Sequence, residues 1–141
     1  MKNGFVIGVD RDYIEPIDGA HLLSYSNIES EKVIKNILDL VKDKPVSTVI
    51  SDMAPNASGE KCLDHEAIIE LQLKALNLAK QCLKQDGIFL CKIWNGDCLP
   101  EFKDTLKKNF ETINTLKPLA SRTDSSEIFV LALKFKTSFK S

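Results

Sequence analysis

Apolar positions recur along the chain in two alternating patterns, one with a helical period and one typical of strands. Apolar residues spaced three or four positions apart predict helices at 28–41, 65–84 and 100–109. Short runs rich in β-branched and aromatic residues predict strands at 4–10, 20–24, 46–52, 87–94, 111–116 and 127–135. Asp64 is the expected N-cap of the second helix. Strands that alternate with helices predict an α/β fold with a mostly parallel, doubly wound sheet.

The last two predicted strands, 111–116 and 127–135, have no helix between them. Their connection is too short for a parallel crossover, so we expect an antiparallel hairpin. A final strand that runs backwards begins at the edge where the parallel strands end. Glu127 is therefore expected near the ends of the 46–52 and 87–94 strands.

Two predicted strands run directly into an aspartate. Residues 47–51 lead into Asp52, and Pro55 then prevents a helix in the loop that follows. Residues 5–9 lead into Asp10. Open α/β sheets bind ligands at the carboxyl ends of their strands, where an acid often binds ribose hydroxyls. Each aspartate fits a capping or turn residue equally well, and the pattern alone leaves both alternatives open.

Lys92 interrupts the otherwise apolar strand at 87–94. A buried ammonium group needs carboxylate partners or a role as a base. The predicted topology supplies Asp52 and Glu127 as those partners. The alternative is a lysine at a strand edge whose ammonium group reaches water.

Composition places the chain among ordinary globular proteins. Its 141 residues are 43% hydrophobic and 28% charged, which suits one domain over 1–141, with 137–141 expected to fray. The net charge of −1 excludes a general basic field. Residues 99–141 hold 8 Lys/Arg against 5 Asp/Glu, a weak indication of RNA binding that a solvated lysine-rich surface explains equally well.

The cysteines and histidines predict no metal site, because no two of the four cysteines have CxxC spacing and only two histidines are present. Cys82 and Cys91 lie in apolar patterns and are expected in the core. Reduced cysteines fit an intracellular compartment. No apolar run reaches membrane-spanning length, and we expect neither a signal or transit peptide nor a membrane partner.

Six segments carry a family resemblance: GFVIGVD, IEPIDGA, SDMAPNASG, LDH, DGIFLCKIWNG and KPLASRTDSSEIFVLA. Through them the chain from Gly4 to about Lys136 resembles the FtsJ-like ribosomal RNA 2′-O-ribose methyltransferases, most closely the mitochondrial branch. The resemblance implies a Rossmann-like sheet that binds S-adenosylmethionine, mostly parallel with an antiparallel C-terminal strand.

The resemblance also implies roles for individual residues. Asp52, Lys92 and Glu127 match three members of the family's Lys-Asp-Lys-Glu tetrad. Lys92 would take the proton of a target ribose 2′-hydroxyl, or orient that hydroxyl, while the two carboxylates hold the lysine. Asp10 and Asp52 would bind the cofactor, Asp10 through its ribose. Asn27 stands where the family has an acid that binds the adenine amino group, and an amide oxygen can still accept that hydrogen bond.

The chain departs from the family upstream of Gly4, where the glycine-rich cofactor loop, the strand before it and the first tetrad lysine would lie. Only three residues precede Gly4. In the family the missing strand lies mid-sheet, so its absence would leave two strand edges unpaired. We therefore expect the chain as written to bind S-adenosylmethionine weakly or not at all. Phe129 also replaces a family tyrosine and lacks its hydroxyl.

Two function hypotheses follow. The first is an enzyme that methylates a uridine or other ribose 2′-hydroxyl in ribosomal RNA; the alternative is a truncated, non-catalytic RNA-binding or ribosome-assembly protein. The expected partners are ribosomal RNA and the large ribosomal subunit, and we expect a monomer in the mitochondrion, with the cytoplasm as the alternative location. Arg122 would contact an RNA phosphate and Asn56 the substrate, although a surface arginine and a turn asparagine explain these residues equally well.

Overall fold

The computed structural model describes residues 4–117 and 127–137. Its elements follow in chain order: β1 (Val6–Val9), β2 (Ala20–Leu23), α1 (Glu31–Leu40), β3 (Val46–Ser51), α2 (Lys61–Cys82), β4 (Leu83–Trp94), α3 (Leu99–Lys107), β5 (Phe110–Leu116) and β6 (Glu127–Phe135). They fall into two compact units that divide between Leu40 and Val41. The α/β fold class predicted from the alternation of strands and helices is confirmed.

The first unit contains β1, β2 and α1. β1 and β2 pair in parallel, from Val6 opposite Ala20 to Val9 opposite Leu23. The amide of Asp10 extends this ladder by donating to the carbonyl of Leu23 at 3.1 Å. Asp10 therefore leaves the sheet at the carboxyl end of β1, as its position after an apolar run predicted.

The second unit contains a four-stranded sheet in the order β3-β4-β6-β5. β3 pairs in parallel with β4, whereas β6 is antiparallel to both β4 and β5. The expected antiparallel pairing of the last two strands is confirmed. Because β6 lies between β4 and β5, Glu127 at its start pairs with Trp94 at the end of β4. Among the described strands β3 pairs with β4 alone, and Ile50 on it is 69% exposed.

β4 buries one of its faces completely. Phe89, Cys91 and Ile93 are fully buried, while Lys92 and Trp94 point to the opposite, half-buried face. Side chains alternate between the two faces of a strand, so a charged residue can interrupt an apolar run without entering the closed core. This alternation explains how Lys92 is accommodated in GIFLCKIW.

The core of the second unit is rich in phenylalanine. The ring centroid of Phe110 lies 6.3 Å from that of Phe89 and 5.3 Å from that of Phe135, and all three side chains are buried. These residues belong to β5, β4 and β6, so their contacts help to hold the antiparallel strands against the parallel part of the sheet. Cys91 lies in the core as expected, whereas Cys82 is half-buried.

α2 begins earlier than the sequence predicted. Its first residue is Lys61 and its N-cap is Glu60, which makes no side-chain capping bond, so the expected N-cap role of Asp64 is wrong. Leu63 in this first turn is 55% exposed, and a turn that buries no apolar side chain gives no periodic signal. Asp64 instead accepts hydrogen bonds from the preceding loop.

β4 also begins earlier than predicted. The sequence pattern predicts a helix end at residue 84 and a strand start at residue 87, but α2 ends at Cys82 and β4 already includes Asp86 and Gly87. Asp86 has a left-handed backbone, with a φ of 66°, and the pairing with β3 shifts register between Val46 and Thr48. The turn residues therefore mark a bulge in the strand.

Within residues 4–117 and 127–137, no helix is both long and apolar enough to cross a membrane. In the same residues, no three His, Cys, Asp or Glu side chains lie together in a way that suits a metal ion. Thr137 is anchored by hydrogen bonds to Gln85 at 2.9 and 2.7 Å, and the rest of the segment expected to fray, 138–141, lies outside the described residues.

Thiol reactivity should follow burial. Burial raises the pKa of the Cys91 thiol to about 12 and that of Cys82 to about 11, whereas Cys62 is exposed. Because only the thiolate reacts, alkylation at pH 7.5 should label Cys62 at least about 100-fold faster than Cys91. Mass spectrometry of timed digests measures both rates. Equal rates in urea are the control, and equal rates in the native protein would contradict this packing.

Candidate active site

The end of β4 and the start of β6 bring two opposite charges together. Lys92 Nζ lies 3.8 Å from Glu127 Oε2, and the two side chains are 18% and 40% exposed. The pairing of Trp94 with Glu127 and of Lys92 with Phe129 sets this contact, because it puts Glu127 two positions away on the facing strand. The reversed direction of β6 thus places Glu127 where the sequence argument expected it.

Asp52 occupies the corresponding end of the adjacent strand. The last pair of the parallel ladder joins Ser51 to Cys91, so Asp52 and Lys92 are the next residues on each strand. Asp52 is exposed, and within 4–117 and 127–137 the structure has no ion pair between it and Lys92. The edge therefore holds one close ion pair and a second carboxylate one strand away.

The ion pair leaves the lysine able to bind a further group. A separation of 3.8 Å exceeds the length of a hydrogen bond, so Lys92 and Glu127 attract each other as charges without using up the ammonium donors. The lysine is held in a half-buried position yet still meets solvent. Such a group can orient a hydroxyl, or accept its proton when neutral.

Hydrogen bonds connect the loop after Asp52 to the first turn of α2. The amide and hydroxyl of Ser58 and the amide of Gly59 donate to the Asp64 carboxylate at 2.8, 2.7 and 3.2 Å. The bond from the Ser58 amide is the main reason that the pKa of Asp64 lies below its ordinary value, followed by the Ser58 hydroxyl. Asn56, the predicted substrate contact, lies exposed within this loop.

A shallow cavity of about 210 Å³ lies between this loop and the end of β4. Its lining residues are Ala57, Lys61, Asp64, His65, Trp94 and Asn95. Trp94 shares a face of β4 with Lys92, two positions earlier, although neither Lys92 nor Glu127 lines the cavity. The lining of the cavity includes an aromatic residue, Trp94, and a positively charged residue, Lys61.

His65 has a structural role in this region. It is buried; Nδ1 lies 2.7 Å from the Trp94 carbonyl, and Nε2 accepts a hydrogen bond from the Cys98 amide at 2.9 Å. An Nε2 that accepts requires the hydrogen on Nδ1, which then donates to Trp94. The ring thus joins α2 to the end of β4 and the start of α3.

The predicted cofactor residues Asp10 and Asn27 belong to the first unit. Asp10 Oδ1 accepts from the Asp12 amide at 3.0 Å, and Asn27 Oδ1 accepts from the Glu29 amide at 2.9 Å. Each side chain therefore makes a local turn contact, which for Asp10 was the alternative to ligand binding. Both side chains are exposed, so both keep oxygen lone pairs open to a ligand.

The family match accounts for this arrangement. Residues 1–135 match the model of a family described as FtsJ-like methyltransferase. The chain belongs to the FtsJ-like methyltransferase family. The resemblance stated from the short motifs is therefore confirmed over almost the whole chain.

Named relatives agree with this assignment. The chain is 38% identical over 137 residues to the ribosomal RNA large subunit methyltransferase E of Methanosarcina mazei, covering 97% of the chain and 51% of that relative. It is also 38% identical over 138 residues to the mitochondrial rRNA methyltransferase 2 of Caenorhabditis elegans, with coverages of 95% and 64%. The chain thus spans about half to two thirds of these FtsJ-like relatives.

Solved structures show the same fold. A ribosomal RNA methyltransferase from Plasmodium falciparum superimposes with a TM-score of 0.81 at 25% identity, over 92% of this chain and 71% of that one. An rRNA methylase from Streptococcus thermophilus, 15% identical, reaches a TM-score of 0.50 and supports the fold alone. The Rossmann-like fold class expected of an FtsJ-like protein is confirmed.

Sequence reasoning missed one buried residue of this FtsJ-like site and named one that cannot be placed. Gln72 bridges the ends of β3 and β4 through three hydrogen bonds, yet the sequence shows only a polar residue in an amphipathic helix. Its spacing from Ile68 and Leu76, four positions on either side, was the available signal. Arg122, the predicted phosphate contact, lies outside the described residues.

The contact between Gly96 and His65 gives a stability prediction. A Cβ added at Gly96 would lie 2.5 Å from Cγ of the His65 ring, so one of the two groups must move. Gly96→Ala should therefore lower the free energy of unfolding by about 1–3 kcal/mol, measured by urea denaturation. A double-mutant cycle with His65→Ala should show a coupling of at least about 0.5 kcal/mol. Strictly additive effects would mean that the ring does not occupy this position.

Proposed function

We propose that this FtsJ-like chain transfers a methyl group from S-adenosylmethionine to a ribose 2′-hydroxyl of ribosomal RNA in the large subunit. The observation that carries the proposal is the ion pair between Lys92 and Glu127 at the sheet edge, with Asp52 at the end of the adjacent strand. The names of the relatives supply the RNA substrate class.

Lys92 has the central role in this proposal. As a neutral amine, its Nζ takes the proton of the 2′-hydroxyl; as an ammonium group, it fixes that hydroxyl by a hydrogen bond. In both cases an oxygen lone pair faces the methyl donor. Glu127 holds the ammonium group in place at 3.8 Å. Asp52, on the next strand, confines the lysine electrostatically from the other side. Positioning of this kind supplies much of the acceleration in a group transfer.

The cofactor would be held by carboxylates at strand ends. S-adenosylmethionine supplies an electrophilic methyl group on a sulfonium when it is bound. Asp10 is exposed, and in the part of the chain that the structure describes its Oδ1 accepts from the Asp12 amide while Oδ2 has no partner, which fits a contact to ribose hydroxyls. Asn27 retains a lone pair on Oδ1 for an amino group. The exposed oxygens of Asp10 and Asn27 therefore suit the hydroxyl and amino groups of the cofactor.

The substrate RNA would meet the loop and the cavity at the end of β4. Asn56 is exposed in that loop, and Trp94 lines the cavity with an aromatic surface. We include the large ribosomal subunit as the assembly in which the target lies. The mitochondrion is the proposed location, because the Caenorhabditis elegans relative is named mitochondrial. We propose that the chain acts as a monomer.

A methyl-transfer assay tests the proposal. Lys92→Ala should reduce incorporation of labelled methyl groups into unmethylated large-subunit rRNA by about 100-fold or more, because the proton acceptor is lost. Lys107→Ala is the matched control: Lys107 also lies 3.8 Å from a carboxylate, that of Asp104, but on the exposed surface of α3, and the rate should not change.

The position of the methyl group decides between reaction types. A 2′-O-methyl group makes the adjoining phosphodiester bond resistant to alkali, whereas a methylated base does not. Methylation on a base, or a Lys92→Ala rate equal to that of the unsubstituted chain, would refute the mechanism. Binding of rRNA without any transfer would favour the non-catalytic assembly protein.

A further inference from the structure

Gln72 makes three hydrogen bonds at the point where β3 and β4 end. Its side chain, in the middle of α2, is completely buried. Oε1 accepts from the Ser51 hydroxyl at 2.6 Å, and Nε2 donates to the carbonyls of Met53 and Lys92 at 3.0 and 2.8 Å. The amide therefore binds both strands at once.

This bridge begins where the backbone ladder stops. Ser51 and Cys91 form the last pair between β3 and β4, so the Met53 and Lys92 carbonyls have no partner in that ladder. A backbone carbonyl that is removed from water without a hydrogen bond is costly. One hydrogen on Nε2 bonds to each of these two carbonyls. Gln72 therefore connects the two chain segments beyond their last backbone pair.

We propose that Gln72 is the positioning residue of the active site, setting the separation between Asp52 and Lys92. This inference rests on the roles given to those two residues in the proposed function. Asp52 lies between Ser51 and Met53, and Gln72 binds both of these neighbours. Lys92 is bound through its own carbonyl. One side chain thus fixes the backbone on either side of the aspartate and at the lysine.

The helix gives the amide a rigid support. Ile68 and Leu76, one turn before and after Gln72, are buried against the sheet, so α2 cannot slide without opening the core. His65, two turns before Gln72 on the same side, binds the Trp94 carbonyl in the same manner. α2 therefore contacts alternate carbonyls of β4, at Lys92 and at Trp94, through buried polar side chains.

Glutamine suits this position for chemical reasons. A neutral amide provides two donors on one nitrogen and an acceptor on its oxygen, and all three functions are used here. Glutamate would place a carboxylate against two carbonyls, which repel it. Methionine would fill the same volume but leave both carbonyls and the Ser51 hydroxyl without this partner. Gln72→Met is therefore the informative substitution.

The kinetic test separates positioning from general stability. Gln72→Met should lower kcat by about 10- to 100-fold, because small displacements of reacting groups are costly. KM for rRNA should stay within about twofold, because a fully buried side chain cannot touch the RNA. The control is Ile68→Val, a cavity on the same buried side of α2, which should lower Tm without changing kcat. A kcat for Gln72→Met equal to that of the unsubstituted chain would overturn the proposal.

A spectroscopic test does not depend on methyl transfer. In the folded chain, the Nε2 hydrogens of Gln72 should exchange with water at least about 100-fold more slowly than those of exposed glutamines. Gln72→Met should shift the amide signals of Asp52, Met53 and Ile93, whereas Ile68→Val should not. Ser51→Ala, which removes only one of the three bonds, should cause smaller shifts in the same residues.

The two readouts fail in different ways. If the unsubstituted chain transfers no methyl group, the proposed function fails, and the exchange rates and shifts alone decide whether Gln72 positions these residues. Fast exchange of its amide hydrogens, or unchanged signals at Asp52 and Ile93 in Gln72→Met, would overturn the positioning role whether or not the chain is active.

Discussion

The antiparallel pairing of β4 with β6 is the constraint on which the candidate site depends. β6 runs opposite to β4, so its first residue lies beside the last residues of β4. A parallel final strand would put Glu127 at the far edge of the sheet, away from Lys92. The single reversal of direction therefore produces the ion pair, and the phenylalanine cluster across β4, β5 and β6 stabilises that reversal.

The two faces of β4 have different roles. Phe89, Cys91 and Ile93 anchor the strand in the closed core, which fixes the positions of the residues between them. Lys92, on the other face, keeps its ammonium group half-buried beside a carboxylate. The ammonium group is therefore neither fully removed from water nor fully hydrated. A charge held in this way is well placed but still accessible, which is what a group that handles the proton of a substrate hydroxyl requires.

The antiparallel pairing of the last two strands and the grouping of charges could be predicted from sequence, because both follow from topology. The sequence pattern predicts no helix between residues 116 and 127, which implied the hairpin, and the hairpin implied the place of Glu127. The close contact was less predictable: Lys92 meets Glu127 at 3.8 Å, whereas Asp52 is placed beside it by register alone. Side-chain separations within a group depend on rotamers that no periodicity records.

Gln72 and the early start of α2 show a second limit. The bridge depends on the axial position of one helix over two strands, which is set by packing across 19 to 21 residues of separation in sequence. The first turn of α2 is exposed, and Asp86 lies in a bulge although its sequence is typical of a helix end. In each case a tertiary contact, rather than a local preference, decides the structure.

Carbodiimide cross-linking measures the central contact directly, because the reagent joins an amine to a carboxylate without a spacer. The native chain should give a Lys92–Glu127 link in tryptic digests, formed alongside the link between Lys107 and Asp104, whose charged atoms are also 3.8 Å apart. Loss of the first link in urea would confirm that the fold creates it. A native chain that forms the Lys107–Asp104 link but none between Lys92 and Glu127 would contradict this contact between β4 and β6.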